Sequence, residues 1–467
     1  MKMDCRVFDF LCIGSGPAGQ RAAVQAAKVG KRVAVVEKRR VVGGMCLDSG
    51  TIPSKTFREA VLAFGKQAEQ FRICHGFSSS ERLTAERLLS RVNHVVEREV
   101  DVVERQLQRN DVEVLKGDAA FVDPHTLRIS ADTHTIHVRA DRILIAVGTV
   151  PAPPPGVPCD GEVIISSDGV MELRRLPKSM VVVGAGVIGI EYASMFGAIG
   201  VEVTLVDRRD RPLEFLDSEI VDELIHQMRN QNVIFRSGES VERLDVSEGT
   251  PRRAVIHLES GKRLVSDLVL FSVGRMGATA SLNVEAAGLK VDARGRLLVD
   301  EHFRTNVPHI FAAGDVIGYP SLAATSSEQG RLAACYAFDI PAQPMVSYFP
   351  IGIYAIPEIS MVGETEQALT TKKVPYEIGL ARYREIARSQ IMGDDEGLLK
   401  LLFHRHTRQL LGVHVIGFGA TELVHVGQAV LGLGGGLDYF LTTVFNYPTM
   451  AECYKVAALD AWNKLSQ

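Results

Sequence analysis

The spacing G-x-G-x-x-G occurs twice, at Gly14-Ser15-Gly16-Pro17-Ala18-Gly19 and at Gly184-Ala185-Gly186-Val187-Ile188-Gly189. Each copy follows a short apolar run and leads into a helical stretch. At the first, Arg6 to Ile13 reads as a buried strand and Arg21 to Lys28 as a helix stopped at Gly30. Arg32 to Val36 then reads as a second strand ending in Glu37, with Lys38 next. At the second, Met180 to Val183 reads as a strand and Ile190 to Phe196 as a helix with Glu191 in its first turn. Val201 to Val206 closes that unit and ends in Asp207. The first glycine of each set permits a tight turn, the second lets a pyrophosphate reach the backbone, and the third lets helix and strand pack closely. The helix N-terminus offers free N–H groups and a positive dipole end to phosphates. Two such units about 170 residues apart predict an α/β chain with two Rossmann-like nucleotide-binding modules.

The strand-end acids narrow the ligands. Glu37 stands where a carboxylate can bind ribose hydroxyls. Asp207-Arg208-Arg209 carries two signals, since an acid suits a free ribose 2′-hydroxyl and an arginine suits a 2′-phosphate. That cluster fits NAD and NADP alike; the alternative is a solvated charge cluster, Asp207 to Arg211, on a surface turn.

With 467 residues, the chain has room for two or three domains. Its net charge of −4 argues against a nucleic-acid partner. Seven cysteines in such a length fit a cytoplasmic protein better than a disulfide framework. No apolar run approaches a membrane span, and the apolar stretch from Phe8 to Ile13 is too short for a signal peptide. The proline-rich stretch Pro151 to Pro158 reads as a linker, and Pro341 to Pro344 marks a second change. Between the two glycine units, apolar residues at Leu88, Val92, Val95, Val96, Val100, Val103 and Leu107 predict a long amphipathic helix. It would pack on the first domain, or alternatively present a coiled-coil surface. His404, His406 and His414 have no metal-ligand spacing with Cys or acid, so no metal is expected.

The run Gly43-Gly44-Met45-Cys46 through Gly50-Thr51-Ile52-Pro53-Ser54-Lys55 resembles the active-site helix of the flavoprotein disulfide reductases. Other motifs of that family follow in order. Ile143 to Thr149, with Gly148, is similar to the strand closing its first FAD segment. Val273-Gly274-Arg275 matches the end of its NAD(P) domain. Phe311 to Gly314-Asp315, followed by Gly318 and Leu322-Ala323, resembles its second FAD motif. The resemblance implies an FAD-binding domain in two segments, 1–150 and 279–341. It implies an inserted NAD(P)-binding domain, 151–278, and a C-terminal α+β dimerisation domain, 342–467, hence a homodimer. It also implies that Lys55 and Glu191 form an ion pair beside the reactive flavin nitrogen.

Two departures bear on the reaction. The family's redox pair is Cys-x4-Cys, but here Thr51 stands five residues after Cys46 and no disulfide can form there. Where the family has a His-Pro-Thr segment near its end, this chain has Asn446-Tyr447-Pro448-Thr449-Met450-Ala451-Glu452. Tyrosine, with a pKa near 10, is a poor base at neutral pH. Both halves of thiol–disulfide chemistry are absent together, a pattern that resembles the Si-specific transhydrogenase branch of the family. The resemblance implies reversible ping-pong hydride transfer from NADPH through flavin to NAD+ at one nicotinamide site. An NAD(P)H:quinone reductase or oxidase is the alternative, and an open cavity beside Thr51 would favour it. A non-catalytic flavoprotein is a third reading.

Overall fold

The protein is described from a computed structural model, which covers residues 5–75, 83–132, 134–152, 159–346 and 348–466. In the first nucleotide unit, strand Cys5–Ile13 lies parallel between Val33–Glu37 and Thr135–Ile145. Ile13 faces both Val36 and Ile145. Glu113–Lys116 flanks Val33–Glu37, and the chain-distant strand Ile310–Ala312 adds in parallel to the end of Thr135–Ile145. The same long strand carries the antiparallel strands Thr126–Ser130 and Asp118–Asp123.

The second unit centres on Ser179–Val183, between Glu202–Asp207 and Leu268–Phe271, with Ile234–Ser237 and Ile164–Ser166 at the edges, all parallel. Near-continuous apolar runs such as Met180 to Val183 suit strands covered on both faces. A three-stranded antiparallel sheet packs on this unit through Leu244, Ala254 and Ile256. Two passages between the units, Thr149–Pro151 and Arg275–Gly277, pair with each other. The third layer is a five-stranded antiparallel sheet, from Ile351–Ile353 to Tyr376–Arg382, packed against helices Ala420–Gly432 and Glu452–Leu465.

Both nucleotide turns close by glycine contact. A Cβ on Gly19 would lie 1.9 Å from the Gly14 carbonyl oxygen, and one on Gly189 would lie 1.9 Å from that of Gly184. The helices begin at the turns themselves, as Pro17–Ala27 and Val187–Ala198. These starts are earlier than the apolar pattern alone predicts, because glycine hides the first helical turn from a propensity reading. Glu191 therefore sits in the second turn of its helix, not the first, and gains less from the helix dipole than expected.

The long helix runs Ala85–Gln108, capped by the Thr84 hydroxyl accepting from the Arg87 N–H at 3.3 Å. Val100, Val103 and Leu107 join the core below Val33 and Val35, and Leu88 and Val92 pack with Phe57. It is a packed helix, not a coiled-coil strand. Residues 153–158 of the expected proline linker lie outside the described residues. Among the described residues, no helix is long and apolar enough to cross a membrane.

Where the second unit meets the third, Lys400 is fully buried. Its ammonium donates to Asp217 at 2.9 Å, to Glu219 at 3.0 Å and to Glu366. Asp217 also caps helix Ser218–Asn230 and accepts the Glu366 N–H at 3.2 Å. One buried lysine thereby ties a helix start to the antiparallel sheet.

Candidate active site

A cavity of about 1450 Å³ opens above the parallel strands of the first unit. Gly14, Ser15, Gly16, Pro17 and Ala18 from the first glycine turn line it, with Glu37 and Lys38 from the strand end. So do Gly44, Met45, Cys46 and Lys55, then Gly148, and then Gly314, Asp315, Leu322 and Ala323. From the second turn and the start of its helix, Val187, Ile188, Glu191 and Tyr192 reach it. Gly19, Gly43, Gly184, Gly186, Gly189, Asp207, Arg208, Arg209 and Gly274 are not on its wall.

Around Gly16 the backbone is open, with no atom within 4 Å of where a Cβ would stand. Beside it, buried Glu37 accepts hydrogen bonds from the Ser15 N–H at 3.1 Å, the Ser15 hydroxyl at 2.5 Å and the Arg39 N–H at 2.8 Å. The Ser15 hydroxyl in turn accepts the Gly43 N–H at 2.9 Å, drawing the two loops together. Burial pushes the Asp315 carboxyl above its usual range, although Arg275 and the Ser326 hydroxyl oppose the shift. Arg275 itself donates from Nε to the Thr149 hydroxyl at 2.8 Å, across the passage between the two units.

Lys55, on helix Thr51–His75, meets Glu191 across the junction of the units. Its ammonium donates to the two carboxylate oxygens at 2.7 and 3.0 Å. The Glu191 side chain is 5% exposed, so the pair is sheltered. Among the described residues Cys46 is a free cysteine. Burial pushes its thiol up, and hydrogen bonds from the Thr51 hydroxyl and the Ile52 N–H oppose this only in part. A thiol held protonated is a poor nucleophile.

At the end of the second unit's strand, buried Asp207 is clasped by its neighbour. Arg209 donates from Nε at 2.9 Å and from Nη2 at 2.8 Å to the two oxygens, and the Ala185 N–H donates at 2.5 Å. Burial pushes the carboxyl up, but these bonds more than offset it, so Asp207 sits below the usual carboxylate range. Arg208 is exposed and free of hydrogen bonds and ion pairs among the described residues. The cluster is thus neither two free arginines nor a free acid. Tyr447 is 71% exposed and does not line the cavity.

Comparison with known proteins fits this architecture. Residues 8–330 match the pyridine nucleotide-disulphide oxidoreductases, and residues 349–458 match the dimerisation domain of that family. The chain belongs to the pyridine nucleotide-disulphide oxidoreductase family. It is an oxidoreductase that uses FAD and nicotinamide nucleotides. This oxidoreductase is 52% identical over 463 residues to a soluble pyridine nucleotide transhydrogenase of Mycobacterium bovis, covering 98% of each chain. It is 44% identical over 463 residues to one of Photobacterium profundum, again covering 98% of each. Among solved structures it resembles the HOCl-induced flavoprotein disulfide reductase RclA of Escherichia coli, with a TM-score of 0.87 and 27% identity. The match covers 97% of this chain and 99% of that one. The open backbone at Gly16, the cavity volume and the sparsely bonded Asp315 carboxyl fit a flavin dinucleotide. Sequence reasoning placed Arg275 only at the end of the NAD(P) domain and missed it as a cavity residue. It also missed Tyr354, which stands on the cavity wall; no motif or spacing signals it.

Proposed function

We infer that this chain is an FAD-dependent transhydrogenase, exchanging hydride between NADPH and NAD+ at one nicotinamide site with no redox disulfide. The observation that carries the reading is the hydroxyl of Thr51 beside a protonated Cys46, together with an intact Lys55–Glu191 pair. Two relatives at 52% and 44% identity named soluble pyridine nucleotide transhydrogenase support it. When bound, the flavin supplies the atom that accepts and returns the hydride.

The chain's own residues do the rest. Gly14 to Gly19 and the helix N-terminus behind them hold the flavin's pyrophosphate. Glu37 and Lys38 flank its ribose, Gly44 to Cys46 and Gly148 border the ring while Gly43 ties their loop to Ser15, and Gly314-Asp315 with Leu322-Ala323 hold the ribityl chain and the ring's edge. Lys55 favours negative charge at the reacting end, and Glu191 keeps that lysine in place while bordering the nicotinamide. Gly184 to Gly189 take the second pyrophosphate, with Gly274 nearby. Arg208 meets the 2′-phosphate of NADPH, and Asp207, clasped by Arg209, meets the bare ribose of NADH. The segments 1–150 and 279–341 form the FAD domain, 151–278 the NAD(P) domain, and 342–467 the interface of a homodimer in the cytoplasm.

One observation favours a second reading, a quinone reductase: the exposed rings of Tyr319 and Tyr348 stand on the cavity wall, where a planar acceptor could stack. Anaerobic stopped-flow separates the two. After reduction by NADPH, the flavin absorbance should return faster with NAD+ than with a quinone; the reverse order would replace the transhydrogenase reading.

A further inference from the structure

The segment from Tyr354 to Glu358 joins both nucleotide units at the Lys55–Glu191 pair. The Tyr354 N–H donates to Glu191 Oε1 at 2.8 Å. The Ile356 N–H donates to the Ser194 hydroxyl at 2.9 Å, and that hydroxyl donates to the Glu191 carbonyl at 2.8 Å. On the other side, Arg58 stands one turn beyond Lys55 on the same helix. Its Nε–H donates to the Ala355 carbonyl at 2.8 Å, and its guanidinium pairs with Glu358 at 3.4 Å. The segment thus clamps the helix that carries Lys55 and the helix that carries Glu191.

Between those clamps the Tyr354 ring faces the lysine. The Lys55 ammonium lies 4.9 Å from the ring centroid. An ammonium on a four-carbon stem, held by one carboxylate and a longer 3.3 Å bond to the Ser54 hydroxyl, keeps rotational freedom. A ring face attracts a cation without adding a negative charge that would cancel it. Glu191 therefore anchors the charge, and the ring restricts its position.

We propose that Tyr354 is a positioning residue for the hydride exchange, its ring face holding the Lys55 ammonium beside Glu191 at the reacting end of the cavity. This rests on the reading of the site given above. Tyr354→Leu removes the ring and keeps the main-chain donor to Glu191; Tyr354→Phe keeps the ring. In the FAD-loaded enzyme, Tyr354→Leu should lower kcat about fivefold, or ~1 kcal/mol at ~1.4 kcal/mol per factor of ten, with the KM for NADPH within about twofold. It should also move the midpoint potential of the bound flavin to more negative values, because a displaced cation favours negative charge less. Tyr354→Phe should restore both. In a Lys55→Met background, Tyr354→Leu should add nothing. An unmoved potential, a Phe variant as impaired as Leu, or a Leu effect that persists without Lys55 would overturn the assignment. If Tyr354→Leu does not retain FAD, Tyr354→Met carries the same cycle. A wild-type enzyme that takes no hydride from NADPH would instead overturn the reading of the site as a whole.

Discussion

Cys46 and Arg208 are the side chains whose replacement distinguishes the chemistry most directly. Because the Cys46 thiol is held protonated by burial and faces a hydroxyl, Cys46→Ser should keep at least about half of the NADPH-to-NAD+ rate. Reductive titration of the wild-type enzyme should show no long-wavelength thiolate band. A thousandfold loss in the serine variant with FAD still bound would contradict a thiol-free reaction. At the second site, Arg208 has no competing partner among the described residues, so its guanidinium is available to a phosphate. Arg208→Ala should raise the KM for NADPH about 10- to 100-fold and leave that for NADH within about twofold, with kcat little changed. Steady-state kinetics with each nucleotide in turn checks this; equal effects would return the cluster to a solvated turn. The Lys55–Glu191 pair was legible because each residue occupies a fixed place in a motif. The Arg209 clasp on Asp207 was not, since spacing cannot tell whether an arginine two residues on reaches outward or folds back. Tyr354 was illegible for another reason: its relation to Lys55 exists only once three parts of the chain are assembled.

Among the elements, the first glycine turn separates packing from binding. A Cβ at Gly19 would stand 1.9 Å from the Gly14 carbonyl oxygen, whereas one at Gly16 would meet nothing within 4 Å. Gly16→Ala should therefore fold with a melting temperature of the FAD-free protein near wild type but bind FAD at least about tenfold more weakly. Gly19→Ala should lose the fold of the unit, and thermal unfolding of both apo proteins tests the contrast. The junction between helix Ser218–Asn230 and the antiparallel sheet depends on Lys400. Lys400→Met would leave buried Asp217 and its neighbours without their cation, at a cost of about 3–5 kcal/mol near neutral pH. Burial pushes the Asp217 carboxyl up, but His414, Lys400 and the Glu366 N–H more than offset it, so its pKa is lowered on folding. A lowered carboxyl contributes stability above its unfolded value, and the contribution fades as pH falls through the folded one. The gap in melting temperature between wild type and Lys400→Met should therefore be widest near pH 7 and narrow below about pH 4. Calorimetry across pH checks it, and a gap independent of pH would exclude the ionic account. The strands and both glycine turns were readable from apolar runs and punctuation. Helix starts were not, because the glycines that enable a nucleotide turn are the residues that propensity assigns to a loop.

For the molecule as a whole, the α/β class with two nucleotide units followed from the repeated glycine spacing, and the third layer from family resemblance. Pairing of copies belongs to this scale. Leu433 is 88% exposed and Val444 is 93% exposed on the segment matching the dimerisation domain, the two most exposed large apolar side chains among the described residues. Leu433→Asp combined with Val444→Asp should shift the sedimentation coefficient from dimer to monomer, and an unchanged coefficient would locate the interface elsewhere. The cavity shared by the two nucleotide units has a further consequence. Val187 and Ile188 of the second glycine turn, with Glu191 and Tyr192 just behind it, line the cavity, and in the proposed reaction donor and acceptor take turns in one berth. Each nucleotide in excess then throttles the exchange by occupying the form of the enzyme that awaits the other. Velocity plotted against NADPH at fixed NAD+ should rise, peak and decline, and the cell's nucleotide ratio governs the catalyst more than the total supply.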